Sequence, residues 1–262
     1  LCRRTVLALV KPGAGRAAAA LGCVLTAVAP RWALTAASCL EAVEEVDSLD
    51  SFVMVADWGG AAAGEAGEAG GVAVDDVRVY PRYSLDRAAD LAALRGERPL
   101  PAAAAALPAL ADYFLLTPGE RLTLLGFGRY RLREGELRGG GDEAPRTLRA
   151  AAVYASSGAA CAGWAPRHLA PAGALERGRG GAGALCAGPL RRGAGRAGPG
   201  AGPGPGAEAC GYCGGAPLLR GRTLLALMAD NPQCGVSCEP ALFVNVALAA
   251  DWIEGVINSA DE

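Results

Sequence analysis

Short apolar runs, separated by turn-forming residues, recur along most of the chain. Runs of this kind, bounded by Gly, Pro, Asp and Ser, favour β-strands over helices. The predicted strands lie at residues 5–10, 23–28, 33–36, 52–56, 72–80, 91–94, 122–126, 148–154 and 218–228. Many short strands with turn signals between them are typical of an all-β barrel or sandwich.

A helical period occurs near the end of the chain. Apolar residues there recur three and four positions apart, which predicts an amphipathic helix over about 246–258. They are Val246, Ala249, Trp252, Ile253, Val256 and Ile257. The pattern as a whole therefore indicates a mostly β protein that ends in one helix.

One long segment lacks any apolar pattern. Residues 187–206 consist of Ala, Gly, Pro and Arg, apart from Leu190. A segment of this composition buries too little apolar area to offset its ordering entropy. We therefore predict a disordered surface insertion there, and its arginines Arg191, Arg192 and Arg196 offer contacts to an anionic surface.

The composition allows one large β domain or two small ones. The 262 residues are 52% hydrophobic, which is enough for a sizeable core. A formal net charge of −2, with Lys11 as the only lysine, argues against a protein that binds nucleic acid through its phosphates. The longest apolar run, residues 17–29, is shorter than the roughly 18 residues that a membrane-spanning helix needs. We therefore expect no membrane span.

The cysteine and histidine content limits the kinds of metal site and disulfide that the chain can form. The nine cysteines occupy positions 2, 23, 39, 161, 186, 210, 213, 234 and 238. With one histidine, His168, and no second Cys-x-x-Cys pair to match Cys210-Gly-Tyr-Cys213, a metal site is not expected. The pattern favours a secreted, disulfide-bonded protein. The odd count leaves at least one thiol free or paired with another chain.

Two motifs connect the chain to a known family. The first is Arg-Trp-Ala-Leu-Thr-Ala-Ala-Ser-Cys at 31–39, and the second is Gly-Tyr-Cys-Gly-Gly-Ala-Pro at 211–217. They resemble the motifs that carry the catalytic histidine and serine in trypsin- and chymotrypsin-like serine proteases. Other stretches similar to family sequences are Val-Tyr-Pro-Arg-Tyr at 79–83, Ala-Asp-Leu-Ala-Ala-Leu at 89–94, Gly-Phe-Gly at 126–128 and Asp-Trp-Ile at 251–253.

The resemblance implies an all-β fold of two antiparallel six-stranded barrels, with the site between them and a C-terminal α-helix. It implies one trypsin-like domain over 1–262, with an N-terminal barrel at about 5–110, a C-terminal barrel at about 111–245 and the helix at about 246–258. The implied disulfides are Cys23–Cys39, Cys161–Cys186 and Cys210–Cys234. It implies no cofactor.

The same motifs carry altered chemical groups. Ser38 lies where the family has its catalytic histidine, and Cys213 lies where it has its serine. Asp90 matches the third member of the triad. Since a serine hydroxyl does not bind a proton near pH 7, Ser38 cannot be the base of a triad. The resemblance therefore implies a protease fold that has lost proteolysis, which is a pseudoprotease.

The residues that shape the substrate site also depart from the family pattern. The implied oxyanion-hole positions are Gly211 and Cys213, and the implied specificity-pocket positions are Glu208, Ala229, Asp230 and Asn231. Tyr212 stands where active members have the aspartate that helps to shape the oxyanion hole. These departures agree with the loss of proteolysis.

Cys213 leaves two interpretations open. A thiolate is a strong nucleophile, so an active endopeptidase with Cys213 as an atypical nucleophile is conceivable. A thiol with a pKa of about 8.5 needs a cation or a base to ionise it, and Ser38 and Asp90 supply neither. The other interpretation is a buried cysteine, or a disulfide with Cys238 or Cys2.

Three functions are compatible with these residues. The first is a secreted, non-catalytic homologue that regulates an extracellular protease cascade, as in arthropod immunity or clotting, through a protease, zymogen or inhibitor partner. The second is the cysteine-dependent endopeptidase. The third is an extracellular adhesive protein that binds anionic glycans through Arg191, Arg192 and Arg196. The first stands ahead of the others because two of the three triad residues are replaced.

Overall fold

The computed structural model describes residues 2–12, 20–45, 47–56, 71–83, 89–127, 148–156, 184–188, 214–230 and 241–259. The strands in these ranges are β1 Val6–Lys11, β2 Ala20–Ala27, β3 Trp32–Thr35, β4 Val53–Val55, β5 Val72–Val79, β6 Ala92–Gly96, β7 Arg121–Gly126, β8 Arg149–Ala155, β9 Ala184–Gly188, β10 Pro217–Arg220, β11 Thr223–Asp230 and β12 Ala241–Asn245. The α-helices are α1 Ala37–Glu44, α2 Leu110–Phe114 and α3 Ala250–Ser259, and 3₁₀ turns lie at Cys2–Thr5, Leu49–Ser51 and Val246–Ala249.

The strands form two closed antiparallel barrels. The first has the order β1-β2-β3-β6-β5-β4, and β4 pairs with β1 to close it. The second has the order β10-β11-β12-β9-β8-β7, and β7 pairs with β10. Two six-stranded barrels followed by a C-terminal helix confirm the predicted fold class. The extents predicted for the single domain and its two barrels stay predictions.

Burial on both faces explains why β1 is apolar along almost its whole length. Leu7 and Leu9 belong to the core of the first barrel. Val6, Ala8 and Val10 belong to a second apolar cluster, which includes residues of the other barrel. Successive side chains of a strand point to opposite faces, so a strand between two apolar layers has no polar face.

The cluster shared by the two barrels also includes the C-terminal helix. Its members from the second barrel and the helix include Leu125, Phe127, Leu219, Leu227, Val244 and Ile253. On the same helix, the Trp252 ring lies 5.1 Å from the ring of Tyr80, which follows β5. The last helix of the chain therefore packs back onto the first barrel. No helix among the described residues is long and apolar enough to cross a bilayer.

Two predicted element boundaries are wrong because of local turns. The run at 218–228 is a hairpin of β10 and β11, since Gly221 adopts a φ of +60° and reverses the chain. The helix predicted over 246–258 begins with the 3₁₀ turn and continues as α3. The Asn245 side chain starts that turn by accepting a hydrogen bond from the Ala247 N–H at 3.0 Å.

The insertion predicted over 187–206 begins too early. Residues 187 and 188 are the last two residues of β9, where the backbone pairs with β12 and β8. Alanine and glycine fit this buried part of the strand, so a strand forms there although large apolar residues are lacking. Residues 189–206, with the three arginines, lie outside the described residues.

Gly215 lies where the loop before β10 contacts the first barrel. Gly215 has a φ of +82°, and its N–H donates to the Met228 carbonyl at 2.8 Å. A Cβ added to it would overlap Thr35 Oγ1 and the Val24 carbonyl oxygen, both in the first barrel. Because one obstacle is backbone, the site has little freedom to adjust. Glycine is therefore required by its conformation and by the close approach.

We expect Gly215→Ala to lower the free energy of unfolding by about 3 kcal/mol or more, since strain at positive φ adds to overlap with the first barrel. Gly221→Ala is the matched control. Gly221 also has a positive φ, but a Cβ there has nothing within 4 Å, so a loss of about 1 kcal/mol is expected. Urea unfolding with disulfides intact measures both. Equal losses in the two variants would contradict the close approach.

Candidate active site

Strand pairing brings Ser38 and Asp90 together across 52 residues of sequence. β3 leads directly into α1, and its last residue, Thr35, pairs with Ala92 at the start of β6. Ser38 lies in the first turn of α1, and Asp90 lies just before β6. The Ser38 N–H donates to Asp90 Oδ1 at 2.7 Å, and the Ser38 hydroxyl donates to Asp90 Oδ2 at 2.6 Å. Both carboxylate oxygens therefore accept hydrogen bonds from one serine.

Asp90 also caps α1 from outside the helix. The residue before the helix, Ala36, has no side chain that can accept a hydrogen bond from the first turn. The Asp90 carboxylate accepts from the backbone of Ser38, and the Ala37 backbone also stabilises its charged form. A negative charge at a helix N-terminus is favourable, and free N–H groups there need acceptors. Asp90 thus has a structural role that does not depend on catalysis.

Burial has the largest effect on the pKa of Asp90. The residue is 3% exposed, and this burial raises the pKa of the carboxyl from 3.8 to about 6. Hydrogen bonds from Ser38 and from the Ala37 backbone act in the opposite direction, and the Glu41 carboxylate adds a smaller upward shift. The group is therefore mostly ionised at pH 7.

The described part of the site contains no imidazole to act as the base of a triad. Ser38 is half-buried, and its hydroxyl is engaged as a donor to Asp90. No histidine lies within the described ranges, and the chain's one imidazole, His168, is outside them. In a serine protease triad, the carboxylate orients an imidazole. Here it orients a hydroxyl, which has no comparable basicity.

The chain next to Cys213 lies against the Ser38 segment. Cys213 itself is outside the described residues, and Gly214 follows it. A Cβ added to Gly214 would lie 3.1 Å from Cys39 Cβ and 3.8 Å from Ala36 Cβ, on either side of Ser38 in sequence. The Gly214 carbonyl also accepts from the Val24 N–H at 3.3 Å. The fold therefore brings the two motif segments together.

A disulfide fixes the beginning of α1. Cys23 of β2 and Cys39 of α1 are bonded, with Cα atoms 5.9 Å apart, and the bridge closes a loop of 16 residues. Cys186 is also disulfide-bonded. Its predicted partner Cys161 lies outside the described residues. The same holds for the predicted pair Cys210 and Cys234.

Of the residues predicted to shape the substrate site, the structure describes two. Ala229 is a half-buried residue of β11. Asp230 ends that strand, where its backbone pairs with Leu242 of β12. The predicted positions outside the described residues are Glu208, Gly211, Cys213 and Asn231. Within the described ranges, no group of three or more His, Cys, Asp or Glu residues could hold a metal ion.

One contact near the site was not predicted from the sequence. The Tyr83 hydroxyl donates to Glu41 Oε2 at 2.7 Å, which ties the turn after β5 to the outer part of α1. Tyr83 ends the motif at 79–83, but the resemblance of that motif assigned it no contact. Glu41 lies one helical turn after Ser38, but no pattern in the sequence pairs it with Tyr83.

Comparison with known proteins identifies the fold. No protein-family model and no curated protein sequence match the chain. Neuropsin, a serine protease expressed in the limbic system of mouse brain, matches with a TM-score of 0.63 and 19% identity, over 97% of this chain and 95% of its own. Kallikrein-related peptidase 10 matches with a TM-score of 0.60 and 20% identity, over 98% and 97%.

A third solved structure is the scabies mite inactivated protease paralogue S-I1. It matches with a TM-score of 0.65 and 17% identity, over 98% of this chain and 96% of its own. At these identities the likeness establishes the architecture, which spans nearly the whole chain in each case. The chain therefore has the fold of the trypsin-like serine proteases.

We expect the burial of Asp90 to make stability depend on pH. The folded-state pKa of about 6 exceeds the value of about 3.9 in an unfolded chain, so the native state holds the proton more tightly. As pH rises from about 4 to 6, the wild type should lose about 2–3 kcal/mol of stability relative to Asp90→Asn, whose amide stays neutral. Urea unfolding at several pH values measures this difference.

Asp251→Asn, which removes an exposed carboxyl on α3, is the control for that comparison. An equal change in that variant over the same range would show that the effect does not come from the burial of Asp90. A wild type that gains stability over the Asp90→Asn variant as pH rises would show that hydrogen bonding, and not burial, dominates the Asp90 carboxyl.

Proposed function

We propose that this chain is a secreted, non-catalytic homologue of the trypsin-like serine proteases. In this proposal it lacks peptidase activity and acts as a binding and regulatory module in an extracellular protease cascade. One observation carries the proposal. At the position of the catalytic base, the Ser38 hydroxyl and N–H occupy both oxygens of the Asp90 carboxylate.

The large effect expected from replacing the triad residues supports a loss of peptide turnover. Loss of the nucleophile–base pair of a triad costs about a millionfold in turnover. Asp90 does not replace the imidazole, because it is 3% exposed and both of its carboxylate oxygens already accept hydrogen bonds from Ser38. Cys213 in place of the serine does not compensate, because a thiol also needs a base or a cation to ionise it.

Disulfide bonding supports secretion. The Cys23–Cys39 bridge lies in the first barrel, and Cys186 of the second barrel is also disulfide-bonded. Disulfides form and persist in oxidising compartments, chiefly outside the cytosol. We therefore propose that the chain acts outside the cell, where it can bind the proteins of a protease cascade.

The intact scaffold supports a role in binding. Both barrels are closed, and each has its own apolar core. A protein described as an inactivated protease paralogue has the same fold, so this architecture also occurs where activity has been lost. Loops on a rigid scaffold are common binding surfaces. The proposed partners are proteins of the cascade itself, namely a protease, a zymogen or an inhibitor.

We expect the purified chain to show no peptide hydrolysis above background against a peptide library, and no labelling by a fluorophosphonate probe. The physical reason is that the Ser38 hydroxyl replaces the imidazole of the triad and cannot take a proton from Cys213 near pH 7. Mass spectrometry of the probe-treated chain is the second readout. Ser38→Ala is the control and should behave like the wild type in both assays.

Two results would contradict the absence of activity. One is turnover that disappears in Cys213→Ala, which would establish a cysteine nucleophile. The other is probe attached to Ser38, which would show an activated hydroxyl. Binding is tested separately, by immobilising the chain and recovering proteins from extracellular fluid of its source. A protease, zymogen or inhibitor should bind the folded chain but not a reduced and alkylated one, and recovery of none of these classes would refute the partner proposal.

A further inference from the structure

A narrow cleft lies between the second barrel and residues 108–116, which are called the α2 segment below. The cleft encloses about 190 Å³ of space that is partly open to solvent, and as it stands it is too narrow to admit a water molecule. The lining residues are Pro108, Asp112, Tyr113 and Leu116 on the side of the α2 segment, and Leu185, Leu225, Asn245 and Ala247 on the side of the barrel. Most of the lining is therefore apolar, with three polar side chains.

A buried hydrogen-bond donor in this lining has no partner. Asn245 is 3% exposed, and its Oδ1 accepts from the Ala247 N–H at 3.0 Å. Its Nδ2 finds no hydrogen-bond partner in the part of the chain that the structure describes. A buried donor without an acceptor is costly, and a cleft too narrow for water cannot satisfy it with solvent. Asn245 therefore lacks an acceptor that a ligand could supply.

The two walls of the cleft differ in how firmly they are held. All four lining residues of the barrel are at most 6% exposed. In contrast, none of the five residues of α2 is buried, and Phe114 is 72% exposed. Arg220 Nη1 lies 3.4 Å from both the carbonyl oxygen and Oδ1 of Asp112, which is long for a hydrogen bond. Because segments with few buried side chains open at low cost, the α2 segment is the wall that can move outward.

We propose that the α2 segment is the movable wall of a binding site for a small neutral amide. The ligand's carbonyl oxygen accepts a hydrogen bond from Asn245 Nδ2, and its apolar group lies between Leu116 and Leu225. The space of about 190 Å³ equals about six water molecules at about 30 Å³ each, which is less than a drug-sized ligand needs. The site therefore suits one apolar group of side-chain size.

The choice of an amide follows from the polar groups on the two walls. Asp112 Oδ2 accepts from the Ala109 N–H at 2.8 Å, and a carboxylate oxygen has a further lone pair for the ligand's amide N–H. The negative charge of Asp112 disfavours an anionic ligand, while its contact with Arg220 reduces its attraction for a cation. A neutral group that both accepts and donates fits this pair of walls best. The inference does not depend on the absence of peptidase activity.

An NMR titration of the folded, oxidised, ¹⁵N-labelled chain with isovaleramide tests the proposal. This probe joins a primary amide to an isobutyl group. The Asn245 side-chain NH₂ resonance and the backbone amide resonances of α2 should shift together and saturate at about millimolar probe, as expected for a ligand of this size. Isovalerate, which has the same isobutyl group and a carboxylate, should bind about tenfold more weakly or less.

Two variants separate the donor from the space. Asn245→Ser keeps an acceptor for the Ala247 N–H, since serine also begins helical turns well, but it removes the Nδ2 donor. It should weaken isovaleramide binding about tenfold or more. Leu116→Trp fills the cleft and should abolish binding. Leu115→Ala is the matched control, because Leu115 is 68% exposed and does not line the cleft, and it should leave binding unchanged.

Circular dichroism establishes that the variants fold, and Leu116→Trp decides the matter should Asn245→Ser fail to fold. The absence of a saturable shift in the wild type up to about 50 mM probe would overturn the proposal. So would binding that Leu116→Trp leaves intact, binding that Leu115→Ala weakens equally, or isovalerate binding as tight as that of isovaleramide. A shift of the Asn245 resonance without any shift in α2 would refute the movable wall.

Discussion

The candidate site depends on the buried carboxylate of Asp90, which needs hydrogen-bond donors. A carboxylate removed from water is costly unless hydrogen bonds satisfy it, and Asp90 is 3% exposed. The first turn of α1 supplies those donors, through the Ser38 N–H and hydroxyl and the Ala37 backbone. The same contacts begin a helix whose preceding residue, Ala36, has no capping group. One interaction therefore satisfies the charge and fixes the start of α1.

The position of that carboxylate follows from the packing of the two barrels. β1 is buried on both faces, with Leu9 in the first core and Val10 in the cluster between the barrels. The closed first barrel aligns the end of β3 with the start of β6, which places Ser38 beside Asp90. At the junction with the second barrel, Gly215 leaves no room for a side chain. The site geometry is thus a consequence of strand order and close packing.

Motif order in the sequence predicted the fold, because these sequence patterns are long and specific. It assigned Ser38 and Asp90 to triad positions, but it did not predict the two hydrogen bonds between them. Local patterns were less informative. β9 and β12 were not predicted as strands from their apolar pattern, since β9 is only Ala-Leu-Cys-Ala-Gly and abundant alanine blurs a period of two. The contact between Glu41 and Tyr83 depends on tertiary packing, which no local pattern contains. The exposure of Phe114 was also not predicted, because a large apolar residue is expected to lie in a core unless its sequence pattern indicates otherwise.

The chemistry at position 38 and the start of α1 make separate demands on this fold. Replacing an imidazole by a hydroxyl at Ser38 changes the chemistry of the cleft, yet the hydroxyl still satisfies Asp90 and the helix still begins in the same place. The residues that fill the two barrel cores do not include Ser38 or Asp90, so both cores can stay packed when the chemistry at these two positions changes.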